Sequence, residues 1–74
     1  MNDIENPKKV IAQYEAVRRS GLTNMFDKNA VQRIAFDSDF YDLVNLITDG
    51  GYAEILTGYS ELMKLIDEDD IPEI

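Results

Sequence analysis

Apolar side chains recur at three- and four-residue intervals through four successive segments, and each segment is bounded by residues that start or stop a helix. In the first, Val10, Ile11, Tyr14 and Val17 share one face, Asn6 is placed to cap it, Pro7 falls at the first helical position and Gly21 ends it. Arg18 and Arg19 then sit in the last turn, where positive charge complements unsatisfied carbonyls. In the second, Asp27 caps a helix to about Phe36 with Ala30, Val31, Ile34 and Ala35 on the inner face. Phe26, just before that cap, is placed to staple against Val31, and its burial would make Phe26→Ala cost about 3 kcal/mol.

Asp37-Ser38-Asp39 offers caps for a third helix carrying Phe40, Leu43, Val44 and Ile47, which Asp49-Gly50-Gly51 stops. The last stripe is Tyr52, Ile55, Leu56, Tyr59, Leu62, Met63 and Ile66, interrupted only by Gly58. A glycine inside a helix costs about 1 kcal/mol relative to Ala, so a break near Thr57-Gly58, with Ser60 capping a restart, competes with one long helix. The segment after Gly58 is too short to be helical alone and needs a surface, either its own bundle or a second copy. No stretch alternates as a strand would. The expected fold class is therefore all-α: a compact bundle of three to four short helices spanning residues 1–66 as one domain, followed by an acidic tail, residues 67–74, expected to fray.

Composition supports a folded chain. Apolar residues make up 45% of 74 residues, enough for a modest core even at a net charge of −8. The charge is unevenly laid out. Through residue 37 there are six basic and five acidic residues, whereas beyond it ten acids face only Lys64. A surface of that kind repels phosphate, so direct nucleic-acid binding is not expected. A helix-turn-helix reading of the second and third segments fails on the same ground, because the recognition helix would carry Asp39 and Asp42 and no base.

Catalytic templates fail for want of residues. With no His and no Cys there is no Ser-His or Cys-His nucleophile and no zinc set, and Gly50-Gly51 lacks the Lys-Ser/Thr of a phosphate loop. The acids at Asp37-x-Asp39 and Asp67-x-Asp69 lack the turn glycine of a calcium loop. No catalytic, cofactor or metal residue is assigned, and an enzyme is not expected. The absence of an apolar leader core or an 18-residue apolar run makes cytoplasmic placement, with no membrane association, the expectation.

Gly21-x-Thr23-Asn24-Met25-Phe26-Asp27, followed by Ala30-Val31-Gln32-Arg33-Ile34-Ala35 and Phe40-Tyr41-x-Leu43-Val44, resembles a family of small proteins of unknown function found in bacteria and their phages. The resemblance runs from about Val10 to Ile55-Leu56-Thr57-Gly58; this chain extends sixteen residues further and carries Thr48-Asp49-Gly50-Gly51 where the family has a more charged connection. The resemblance implies a phage or mobile-element setting, hence a host-cell cytoplasm, and supplies no activity. Within it Thr23, Asn24, Asp27, Gln32 and Arg33 form a candidate polar cluster, for which caps, turn hydrogen bonds and a local ion pair are the structural explanation.

The function classes left are three. The first is a noncatalytic module that binds a protein partner, using Tyr41, Tyr52 and Tyr59 as amphipathic contacts and Asp67, Glu68, Asp69 and Asp70 as a charged rim. The second is an acidic mimic of nucleic acid that inhibits a DNA- or RNA-binding enzyme. The third is a homo-oligomer joined through Leu62, Met63 and Ile66. The helical periodicity predicts a far-ultraviolet circular-dichroism spectrum dominated by helix, and a strand-dominated spectrum would overturn the fold class.

Overall fold

A computed structural model describes residues 6–74, so the first five residues of the expected domain lie outside the described range. Helix α1, Pro7–Ser20, occupies the centre of the bundle. Helices α2 (Lys28–Asp37), α3 (Tyr41–Thr48) and α4 (Tyr52–Met63) all pack against it. A single 3-10 turn, Glu68–Asp70, follows. Among the described residues there is no strand, and the all-α bundle is the fold.

The expected inner faces are inner faces. Val10, Ile11, Tyr14 and Val17 of α1 meet Val31 and Ala35 of α2, Phe40, Leu43 and Ile47 of the α3 segment, and Tyr52 and Ile55 of α4. Because three helices converge on α1, its burial spreads beyond one stripe to Ala12, Glu15 and Ala16.

The helix ends show where local signals were right and where tertiary contacts replaced them. Asp27 Oδ1 accepts the Ala30 N–H at 3.2 Å, as an N-cap should. Asn6 does not cap α1 with its side chain; its Nδ2 donates instead to Asp42 Oδ1 across the bundle at 3.3 Å. Asp37-Ser38-Asp39 does not cap α3 either. Asp39 adopts a left-handed φ of 63°, the Phe40 N–H returns to the Ala35 carbonyl at 2.8 Å and the Asp39 N–H to Phe36 at 3.1 Å, so this segment closes α2 as a Schellman motif. The free amides of α3 find an acceptor on another helix: Gln13 Oε1 of α1 takes the Leu43 N–H at 2.9 Å. A second Schellman motif closes α3, with Gly50 at φ 85° and the Gly51 N–H on the Leu46 carbonyl at 2.9 Å.

Helix α4 runs through Gly58 with a kink, Gly58 itself standing at φ −103°, ψ 15°. Neither a clean break nor one straight helix describes it. Beyond the kink Tyr59, Leu62, Met63 and Ile66 pack half-buried against the chain's own core, so the surface that this stripe needs is supplied at least in part by its own bundle. The tail departs from the frayed segment that was expected. Asp67 and Asp70 form a reciprocal capping box around the 3-10 turn, and Ile71 rests half-buried against the core. Its acids are worth ordering because Arg19 lies opposite, holding Glu68 in a two-pronged contact whose second prong, Nη2 to Oε1, is 2.9 Å.

These backbone settings make two glycine substitutions move stability in opposite directions. Gly50→Ala places a Cβ at positive φ and should lower stability by about 1 kcal/mol. Gly58→Ala meets only Leu62 Cδ1 at 3.9 Å and restricts the unfolded chain, so it should raise stability by roughly 0.5–1 kcal/mol. Urea denaturation of the two variants checks the sign of each.

Candidate partner-binding face

Glu15 is fully buried, and it is the charged group on which two surfaces of the molecule are hung. Its carboxylate receives Arg18 Nε at 2.8 Å and Nη2 at 2.6 Å, Arg19 Nε at 2.9 Å, and the Tyr59 hydroxyl at 2.7 Å. Burial disfavours the charged form, but these donors together outweigh it and pull the Glu15 carboxyl down to about 2. Burial and the neighbouring carboxylate push the Tyr59 hydroxyl up, keeping it a neutral donor. Arg18 and Arg19 therefore do more than complement a helix end: spacing of three and four residues folds both back onto Glu15.

The α1–α2 connection is held at several points. Asn24 Oδ1 accepts the Phe26 N–H at 2.9 Å, the Asn24 carbonyl accepts the Asp27 N–H at 2.9 Å, and the Met25 carbonyl accepts the Tyr52 hydroxyl at 2.5 Å. Met25 packs inward against the core, and Phe26 is turned outward, 79% exposed. The staple expected between Phe26 and Val31 does not form, because Met25 takes the inward position. Phe26 instead stands between two hollows. One, of about 420 Å³, is lined by Tyr14, Arg18, Leu56 and Tyr59 as well as Phe26; the other, of about 240 Å³, by Lys28, Ile47, Tyr52 and Leu56 among others. Arg18 lies over the Tyr59 ring at 5.9 Å from its centroid, joining the buried carboxylate to this apolar face.

The other candidate residues are dispersed. Tyr52 is buried, and its ring and that of Tyr59 flank Tyr14 at centroid distances of 6.0 and 5.8 Å. Both hydroxyls are bonded inside the fold; the Tyr52 ring is buried, whereas Tyr59 is half-buried and lines the hollow beside Phe26. Tyr41 is exposed, edge-on to Phe36 at 5.9 Å, its hydroxyl on Asp39 Oδ1 at 2.9 Å. Asp67, Glu68, Asp69 and Asp70 lie in solvent around the 3-10 turn, with Glu68 paired to Arg19.

The polar cluster does not converge. Asn24 and Asp27 shape the connection, whereas Gln32 Nε2 donates to Thr48 Oγ1 at 2.7 Å and ties α2 to α3. Thr23 is half-buried, Arg33 is exposed, and among the described residues no ion pair joins Arg33 to Asp27. Asp42, Asp49 and Glu54 line a groove of about 300 Å³ with Asn45, though among the described residues no three acids converge as a metal set. Among the described residues no helix is long and apolar enough to cross a membrane.

Sequence patterning turns Phe26 inward and passes over Glu15. The signal for Glu15 was present: a lone acid among Tyr14, Ala16 and Val17, three and four residues before two arginines. Since its folded-state value lies below its ordinary 4.5, the carboxylate stabilises the fold in full above pH 4.5, and that contribution is lost as pH falls toward about 2. Glu15→Gln should cost about 2 kcal/mol at neutral pH. Thermal melts between pH 5 and 2 should then fall more steeply for the natural chain than for the variant; parallel curves would mean that Glu15 is not ionised in the fold.

Searches of curated proteins and of solved structures return no match to this chain. A family model does match, over residues 6–59, a segment that contains the stretch from Val10 to Gly58. That segment holds all of α1, α2 and α3, the Glu15–Tyr59 contact and the Phe26 connection, so the family domain comprises the core and the apolar face but not the tail. The chain belongs to the family described as Domain of unknown function (DUF5049).

Proposed function

We propose that the chain is a noncatalytic protein-interaction module, encoded by a phage or prophage and acting in the host cytoplasm as a modulator of another protein. The observation that carries this reading is Phe26: a phenyl ring held in solvent by a connection whose neighbouring backbone groups are fixed by Asn24 and Tyr52. An exposed aromatic carried on a hydrogen-bonded connection beside an apolar hollow has little backbone left to order on binding, which favours it as an interface anchor. The phage setting is supported by the resemblance of the Gly21–Val44 pattern to bacterial and phage proteins.

A second reading, a mimic of nucleic acid, draws on the acidic groove of Asp42, Asp49 and Glu54. The two readings respond oppositely to salt: an apolar interface holds its affinity as ionic strength rises, and an acidic one loses it steeply.

Phe26→Ala separates them. Its stability should stay within about 0.5 kcal/mol of the natural chain, because the ring covers little of the core. Binding to a protein captured by the natural chain from the native host should weaken by roughly 30-fold, the effect of losing an anchor worth about 2 kcal/mol. Undiminished binding by a folded Phe26→Ala chain, with steep loss in salt, would overturn the interaction reading in favour of the mimic.

A further inference from the structure

The fifteen residues after position 59 lie outside the matched family segment, yet part of them is seated on the domain. Lys9, Ala12, Ala16 and Arg19 follow one another along a single face of α1. Over this face runs the tail. Glu68 takes the Arg19 guanidinium with both carboxylate oxygens, Ile71 packs against the core, Ile71 and Pro72 border hollows that Ala12 and Ala16 also line, and Asp69 and Asp70 border the one that Lys9 lines. Ala12 and Ala16 are nearly fully buried, although they lie away from the Val10–Val17 stripe. The tail brings its own local order, the Asp67 N–H bonding Asp70 Oδ2 at 2.8 Å.

Charge and shape are matched here in a way the rest of the acidic half is not. The only contact between the acidic half and a base of the first half among the described ion pairs is Glu68 on Arg19. Arg19 in turn is held by Glu15 through its Nε, leaving its two terminal nitrogens aimed at an incoming carboxylate. The bond from Arg19 Nε to Glu15 thus holds one edge of the guanidinium from the core side, independently of the tail's own contacts.

We infer that this face of α1 is a recognition groove for an acidic linear segment, a carboxylate followed three residues later by Ile-Pro, and that the chain's own tail fills it in cis. A partner protein carrying such a segment is the occupant in trans. Cis occupancy acts as a local competitor at an effective concentration on the order of millimolar, so the groove opens only to a partner that outcompetes the tail. This surface is separate from the Phe26 face, and either can fail without the other.

The test uses the full-length chain with the tail released by Glu68→Lys and Ile71→Asp, titrated with a synthetic peptide of residues 66–74 and followed by backbone amide shifts. The released chain should stay folded and bind the peptide saturably, with shifts concentrated at Ala12, Ala16 and Arg19. The natural chain should bind the same peptide at least about tenfold more weakly, and a peptide with Lys in place of Glu68 should not bind. Glu68→Gln, a milder change, should speed amide exchange in the tail alone and give an intermediate affinity. If release of the tail unfolds the bundle, or the folded released chain ignores the peptide, or both chains bind it equally, the groove does not exist as inferred.

Discussion

A carboxylate with no exposure to water, Glu15, organises this small bundle. Removing such a charge from solvent costs several kcal/mol, and the cost is met only where every lone pair has a donor. Here the donors come from three places: two arginines one turn along α1, and a tyrosine from beyond the kink in α4. The Tyr59 hydroxyl draws the distal part of α4 onto α1, so the kink at Gly58 leaves the stripe docked. The same ion, through Arg19, holds the fork that receives the tail. No buried side-chain polar atom among the described residues lacks a partner, which is the condition under which a buried polar network rigidifies a core rather than weakening it.

Economy in the connections does the rest. Two Schellman motifs reverse the chain after α2 and α3 within a few residues, and Gln13 supplies from α1 the acceptor that the start of α3 does not have locally. A small domain has little apolar area with which to stabilise itself, so satisfied helix ends count for a larger share of its stability. The connection between α1 and α2 is fixed equally firmly, but there the result is an exposed ring. A rigid scaffold that aims a loop residue into solvent is a common arrangement for recognition.

The uneven charge of the sequence is partly opposed by folding. Bases gather on α1 and α2, acids on α3, α4 and the tail, and the turn at Glu68–Asp70 brings acids back toward Lys9 and Arg19. Most of the acids remain in water, where the net charge keeps molecules apart.

By itself the sequence determined what depends on near neighbours along the chain. Helical periodicity set four helices and most of their inner faces, Asp27 capped α2, and Gly21 and Gly50 ended α1 and α3, because backbone sterics and spacing are local. Tertiary structure decided what covers each face. Periodicity places Glu15 beside a buried stripe and one turn from two arginines; only the packing of the bundle on α1 buries it, and Tyr59 of α4 completes the set of donors that keeps it charged. A residue before a cap can point in or out, and it was the Tyr52 bond to the Met25 carbonyl that accompanied Met25 inward and left Phe26 outside. Tyr52 and Tyr59 read equally well as surface or core until their hydroxyls find partners 27 and 44 residues away in the chain. The tail looked unfoldable as a run of acids, since a charge run offers no apolar area; its order came from Arg19, whose position opposite Glu68 exists only in the folded bundle.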